Sequence, residues 1–310
     1  MPDGIINLDK PRGLTSHDVV DRVRALTGIR RVGHAGTLDP LATGVLLVCI
    51  ERATRVAEYL MDSRKIYRAR VRLGIATDTY DAEGKTVAEA PVDVSRAQVE
   101  GALVRFRGKI TQVPPVYSAL KHKGTSLHRL ARRGVDVKQV SLRKAREVEI
   151  SRLALIAWEP PECVLELTCS PGTYVRTLAH DLGQSLGCGA HIAGLTRLAS
   201  GDFRVEDAVA LDAFALAVSE GRWTRLLRPI DAALARFPAL HLDGDATRLL
   251  CSGQAVEGEE ASPGAAGAGG GDEGAHLARA YGPGGIFLAL VTYDPVTGAW
   301  QPRKVFCAPE

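Results

Sequence analysis

The chain contains no apolar run approaching the ~20 residues that a membrane-crossing helix needs, so no spanning segment is expected. Residues 1–4 lack a basic stretch leading into an apolar core, so no secretory signal is expected and a cytoplasmic protein is the reading. The six cysteines (Cys49, Cys163, Cys169, Cys188, Cys251 and Cys307) include no Cys-x-x-Cys pair. In a chain of this size they read as reduced, mostly buried thiols. Cys188 and His191 have half of a metal-site spacing, but no partner pair follows at the required distance. No metal is therefore expected, and an ordinary structural Cys and His is the plainer account. Gly84-Lys85-Thr86 has the tail of a phosphate-binding loop, yet Thr79 stands where its first glycine belongs. Gly269-Gly270-Gly271 neither follows a strand nor opens a helix, so it is not a dinucleotide fingerprint. No cofactor is expected. Net charge is only +3, which by itself announces no polyanionic partner.

What is present starts with size. At 310 residues the chain is long enough for about two domains, taking ~150 residues for each. The hydrophobic share of 45% suits a soluble globular protein. Charge is unevenly placed: residues 118–146 hold Lys121, Lys123, Arg129, Arg132, Arg133, Lys138, Arg143, Lys144 and Arg146 against a single acid, Asp136. Such a stretch is an electrostatic footprint for phosphates, whose binding is driven by counterion release, or else a solvated charged face.

Residues 4–8 read as a strand followed by a turn. Ser16 reads as the N-cap of a helix whose Val19, Val20, Val23 and Leu26 recur at helical spacing up to a stop at Gly28. Residues 66–73 alternate strictly, with Tyr67, Ala69, Val71 and Leu73 on one face and Arg68, Arg70 and Arg72 on the other: a half-buried strand with a basic outer face. Ser95 caps a helix to residue 106. Residues 164–169 form a strand, Thr173 caps a helix to about Leu186, residues 195–203 are extended, and residues 205–218 are helical. A boundary is expected near Arg228-Pro229, and from about residue 236 to 310 the pattern is that of a small β domain. Its expected hairpin turns at residues 294–298. Residues 257–275 are rich in Gly, Ala, Ser and acids, cannot bury a core, and read as a disordered surface loop.

The most informative run is Gly33-His34-Ala35-Gly36-Thr37-Leu38-Asp39-Pro40-Leu41-Ala42-Thr43-Gly44-Val45-Leu46. It sets a carboxylate and an imidazole in a glycine-punctuated loop that runs into an apolar stretch. A tight backbone brings Asp39 to a surface where another molecule approaches closely. The bland alternative is a turn, with Asp39 capping and Pro40 opening a helix.

Four ordered motifs resemble those of the TruB family of tRNA pseudouridine synthases. They are Asn7-Leu8-Asp9-Lys10-Pro11-Arg12-Gly13-Leu14-Thr15-Ser16, the Asp39 loop, Lys65-Ile66-Tyr67-Arg68-Ala69 with residues 73–81, and Cys169-Ser170-Pro171-Gly172-Thr173-Tyr174-Val175-Arg176-Thr177-Leu178. The resemblance implies a mixed α/β catalytic domain over residues 1–230, built on a large, mainly antiparallel sheet flanked by helices. The basic insertion would occupy about residues 110–146, and a PUA-like β domain residues 236–310. It implies isomerisation of uridine-55 in the tRNA T-loop to pseudouridine, which needs neither metal nor organic cofactor because bonds are cut and remade without net redox change.

By the same resemblance Asp39 is the catalytic carboxylate, Arg176 pairs with it, and Tyr67 stacks on the target uracil and assists proton transfer. His34 fills the gap left by the flipped base, and Lys10, Gly36, Thr37, Leu38, Tyr174 and Leu195 contact substrate. Lys121, Lys123, Arg129, Arg132 and Arg133 hold RNA backbone, so the T-arm and acceptor stem of tRNA are the expected partner of a monomer needing no protein subunit. Ala35, Thr37 and Pro171 depart from the usual family pattern, the last at a position often filled by Lys. A dyskerin-like subunit of a guide-RNA particle and a non-catalytic tRNA-folding chaperone are the rival readings.

Overall fold

The computed structural model describes residues 2–115, 121–122, 125–126, 145–259 and 276–307. Most of the basic stretch, including Lys123, Arg129, Arg132 and Arg133, and most of the Gly/Ala-rich stretch, residues 260–275, lie outside the described residues. The chain divides into two compact units. One comprises Ile6–Val48 and Leu60–Leu226; the other comprises Met1–Ile5, Cys49–Tyr59 and Leu227–Glu310.

The larger unit is built on a ten-stranded mixed sheet. Its strands are β1 (Gly4–Lys10), β2 (Val32–His34), β3 (Ala42–Ile50), β4 (Lys65–Leu73), β7 (Gly108–Gln112), β10 (Arg146–Glu159), β11 (Glu162–Cys169), β12 (Ala190–Ser200), β13 (Phe203–Arg204) and β14 (Val209–Ala210). The small pairs β5 (Ile75–Thr77) with β6 (Thr86–Glu89), and β8 (Lys121–His122) with β9 (Thr125–Ser126), stand apart from it. The order is β14-β1-β3-β12-β4-β11-β10-β7, with β2 added to β3 and β13 to β12. From β12 to β7 every neighbouring pair is antiparallel, while β12 with β3 and β1 with β14 are parallel. The mixed α/β class and the antiparallel bias expected from the sequence are both present.

Local chemistry explains the elements that carry the site. β3 is buried at nearly every position, as a central strand covered on both faces must be. In β4 the alternation holds, with Ala69, Val71 and Leu73 buried and Arg68 and Arg70 exposed. The basic face is partly answered across the ladder: Arg68 pairs with Glu166 at 3.0 Å, and Arg70 and Arg72 reach Glu162 at 3.5 and 3.6 Å. Helix α1 (Ser16–Thr27) ends at Gly28, whose left-handed backbone (φ 73°) lets its N–H bond to Arg24.

Three expected caps and spans differ. Thr15, not Ser16, caps α1, forming a capping box with Asp18, because the Ser16 hydroxyl is engaged by the backbone of Leu38. Thr173 does not cap the helix carrying Arg176: its hydroxyl donates to Ser170 at 2.9 Å, and Tyr174 is the N-cap of α4 (Val175–Ser185). Residues 205–210 are not α-helical. Ala208 and Ala210 are extended and Val209 pairs with Leu8 of β1, so sheet pairing overrides the local periodicity and the helix α5 starts later (Leu211–Ser219). The helix capped by Ser95 is found as α3 (Arg96–Leu103) with a final 3-10 turn; α2 (Ala57–Met61) precedes it.

The second unit contains a five-stranded sheet in the order β15 (Ala239–His241), β17 (Leu277–Tyr281), β18 (Phe287–Asp294), β19 (Ala299–Val305) and β16 (Val256–Glu257). The expected hairpin is β18–β19. Leu250 from α6 (Gly244–Cys251), Ala278, Ala280, Val291 and Trp300 form its core. The expectation of six reduced cysteines is corrected here. Cys251 and Cys307 form a disulfide across 56 residues of sequence, because the hairpin returns Cys307 beside the end of α6 with the Cα atoms 5.5 Å apart. The other four cysteines are free and buried.

Candidate active site

The loop from His34 to Leu41 is held in shape from below rather than by its own turns. Lys10 has no exposed surface, and its ammonium donates to the carbonyls of Pro11 (2.9 Å), Leu14 (2.5 Å) and Pro40 (3.3 Å). Burial pulls its pKa down to about 8, against the attraction of Asp39. The Gly13 N–H also donates to Pro40, and the Ser16 hydroxyl accepts from the Leu38 N–H at 2.8 Å. Lys10 thus braces the Asp39 loop, and no surface of it is left for a substrate.

Arg197, on β12 and 1% exposed, closes the loop from the other side. Its Nε donates to Val45 (2.7 Å), Nη2 to Gly36 (3.0 Å) and Nη1 to Thr37 (3.5 Å), so one guanidinium ties both ends of the loop together. Gly44 is required here: at φ 96° its absent Cβ would sit 2.3 Å from the Arg197 carbonyl oxygen. Arg197 is also the register partner of Tyr67 across β4 and β12, and its positive charge opposes the upward push on the Tyr67 phenol. Burial nevertheless pushes the Tyr67 phenol above its ordinary value, so it is neutral at physiological pH.

At the exposed end of this loop sits Asp39. Arg176, on the first turn of α4, grips it with two bonds, Nε to Oδ2 at 2.9 Å and Nη2 to Oδ1 at 3.1 Å. This planar fork fixes the carboxylate's orientation as well as neutralising it. The Arg176 side chain is 7% exposed, whereas that of Asp39 is 32% exposed, so the carboxylate is the accessible half of the pair. A second acid stands behind: Asp81 accepts from Arg176 Nη1 at 3.4 Å and is 6% exposed. Its other oxygen accepts from the Thr79 hydroxyl (2.6 Å) and the Glu83 N–H (3.1 Å). Thr79 adds a backbone carbonyl to Arg176 at 3.2 Å. Burial pushes the Asp39 carboxyl above its ordinary value; the Arg176 guanidinium opposes this, and Asp81 reinforces it.

His34 ends β2, half-buried, with a ring Nδ1 that is buried without a hydrogen-bond partner. Burial and the Arg197 charge lower its pKa, so the neutral imidazole is favoured. Gly36 (φ 99°) and exposed Thr37 form the loop crest, with Leu38 buried beneath. Leu195 is buried on β12, pairing with Ala42 and Ala69. Tyr174 caps α4, and its ring lies 5.5 Å from the Arg146 guanidinium. The structure brings together Asp39 and Arg176 by direct bonds, and sets Tyr67 opposite Arg197, the residue that ties the Asp39 loop, in the β4–β12 register.

Sequence reasoning missed Arg197 and left Asp81 without a role. Arg197 had a signal: it stands between Leu195 and Ala199 on the buried phase of an alternating strand, where an arginine needs a buried partner. Among the described residues no group of three or more His, Cys, Asp or Glu could hold a metal, and the His191 ring nitrogen bonds the Ile75 carbonyl at 2.9 Å.

Residues 24–175 match the model of the TruB family pseudouridylate synthase N-terminal domain, and residues 176–235 that of the tRNA pseudouridylate synthase B C-terminal domain. A tRNA pseudouridine synthase B of Pseudomonas aeruginosa is 47% identical over 261 residues, covering 83% of this chain and 84% of the relative. One from Cupriavidus metallidurans is 42% identical over 304 residues, covering 97% and 93%. Among solved structures, a Cbf5-Nop10-Gar1 complex is similar with a TM-score of 0.71 at 25% identity, covering 99% of this chain and 85% of that one.

Proposed function

The chain belongs to the TruB family of pseudouridylate synthases, and from that membership we propose that Asp39, Arg176 and Tyr67 convert uridine-55 of the tRNA T-loop to pseudouridine. The protein is an isomerase of tRNA uridine. The reaction breaks the C1′–N1 bond, forms a C1′–C5 bond, releases the C5 proton and leaves a proton on N1. Atoms and electrons balance without a co-reactant. The observation that carries the reading is the forked Arg176–Asp39 pair: a carboxylate oriented by two bonds from a buried guanidinium and still partly accessible.

A uridine inside the folded T-loop must be extruded before Asp39 reaches it. Extrusion opens a gap in the base stack, and in this reading His34 fills it, its lowered pKa favouring a neutral ring. The Asp39 carboxylate then faces the sugar and the base while Arg176 keeps it ionised and aimed. Tyr67, protonated and opposite Arg197 in the strand register, offers a ring to stack on the uracil and a hydroxyl for the proton exchange at rejoining. Holding these groups in place before the substrate arrives is what lowers the barrier. The T-arm and acceptor stem are gripped by the basic residues of 121–146 and by the C-terminal β unit, contacts that position without reading sequence. A single chain in the cytoplasm suffices in this reading. The guide-RNA alternative rests on similarity at 25% identity, against 42–47% for the single-name tRNA synthases.

Tritium release from tRNA labelled at uracil C5, compared between the native chain and Asp39→Asn, tests it. Release from the native chain alone, confined to position 55, is expected. Failure of the native chain to release tritium from tRNA that it binds would overturn the reading.

A further inference from the structure

We propose that Gln112 is a positioning residue for the isomerisation, whose side-chain amide grips the backbone of Tyr174 and so sets how α4 delivers Arg176 to Asp39. The inference rests on the role given to Arg176 above.

Gln112 is the last residue of β7 and is 1% exposed. Its Nε2 donates to the Tyr174 carbonyl at 3.2 Å, and its Oε1 accepts from the Tyr174 N–H at 2.9 Å. One side chain thus does to Tyr174 what a neighbouring strand's backbone would do. A buried amide is costly unless both ends are paired, and here both ends are paired to the same residue. That residue is the N-cap of α4, and it provides no side-chain cap of its own. In α1 and α3 the corresponding task falls to Thr15 and Ser95. In α4 the fixing group comes from 62 residues away in sequence.

Two further ties converge on the same turn. The Thr177 hydroxyl donates to the carbonyl of Val113, next to Gln112, at 3.4 Å. Arg146, the register partner of Gln112 on β10, lays its guanidinium over the Tyr174 ring. Arg176 lies between the two anchored residues Tyr174 and Thr177, so the edge formed by β7 and β10 governs the start of α4. A helix start free to rock by about 1 Å would misalign the fork on Asp39, and displacements of that size cost up to about 100-fold in rate.

Single-turnover tritium release from C5-labelled tRNA, tRNA affinity and melting temperature test this for Gln112→Leu and Gln112→Glu, each also made with Arg176→Lys. Gln112→Leu is expected to slow the single-turnover rate by about 10-fold or more while tRNA affinity stays within about twofold. In the Arg176→Lys background the same change is expected to cost less than about twofold, because the interaction it serves is already lost. Gln112→Glu adds a signature that simple loss of packing lacks. A protonated carboxyl restores the donor to the Tyr174 carbonyl and an ionised one repels it, so the ratio of variant to native rate rises as pH falls. This second variant decides the matter if Gln112→Leu does not fold. A Gln112→Leu rate within about twofold of native, equal losses in both backgrounds, or a pH-independent Gln112→Glu ratio overturns the proposal alone. An Arg176→Lys protein at the native rate overturns the Arg176 role and this inference with it.

Discussion

Replacing Arg197 by Met tests whether one buried guanidinium holds the catalytic loop. The side chain is 1% exposed, and its two well-formed bonds run at 2.7 Å to Val45 and 3.0 Å to Gly36; the third, at 3.5 Å to Thr37, adds little. Each hydrogen bond to a charged group contributes about 1.5–3 kcal/mol, so losing two predicts about 3–6 kcal/mol. Met conserves much of the volume, so the loss measures the unpaired carbonyls at 36 and 45 and not a cavity. For a chain of this length that is a drop in melting temperature on the order of 10 °C. Arg197→Lys keeps the charge but replaces the spread, planar fork with one compact ammonium, and is expected to recover about half. Urea unfolding gives the stability, and tritium release at a temperature where each variant is folded gives the chemistry. A loss below about 1 kcal/mol for Arg197→Met would refute the idea that this residue closes the loop.

Other expectations follow from the same geometry. Tyr67→Phe keeps tRNA affinity but slows single-turnover release by about 10-fold or more, as expected for loss of a proton-transfer group; unchanged rates would remove the hydroxyl from the mechanism. Asp39 must be ionised, so activity falls as pH drops through its pKa. Arg176→Met removes the cation that opposes the upward push, which moves the acidic limb of the pH–rate profile to higher pH. Asp81→Asn removes the neighbouring anion that reinforces the push, so its limb moves to lower pH; two limbs moving the same way would show that the guanidinium is not shared between these acids.

What the sequence revealed and what it hid divide along contact range. The Asp39 loop, Tyr67 and Arg176 lie in contiguous motifs, so they stood out as candidates before the fold was known. The alternation of β4 and the β18–β19 hairpin were equally local. Arg197, Gln112 and the Cys251–Cys307 pair act on partners 56 to 161 residues away, and no short window contains both ends of those interactions. The misplaced caps have a different cause. Ser16 and Thr173 are good capping residues standing next to the true N-caps, and which one caps was settled by outside demands from Leu38 and Ser170. Lys10 shows a third limit: the resemblance makes it a substrate contact, whereas its ammonium is buried and taken up by three carbonyls.

The division of the chain has a consequence for cutting it. The unit that holds the C-terminal sheet also takes Met1–Ile5 and Cys49–Tyr59, so it is assembled from three separate stretches of chain. Within that unit the Ile5 N–H bonds to Arg228, Arg52 and Arg55 bond the carbonyls of Phe306 and Val305, and Tyr59 packs edge-on against Phe237. A fragment starting at Leu227 would therefore leave Arg228, Phe237 and the end of β19 without the neighbours that cover them. This C-terminal piece is no portable cassette: grafted or expressed by itself it would need two strips of the N-terminal chain supplied in trans, and a gene fusion that swaps it between relatives must exchange three segments together.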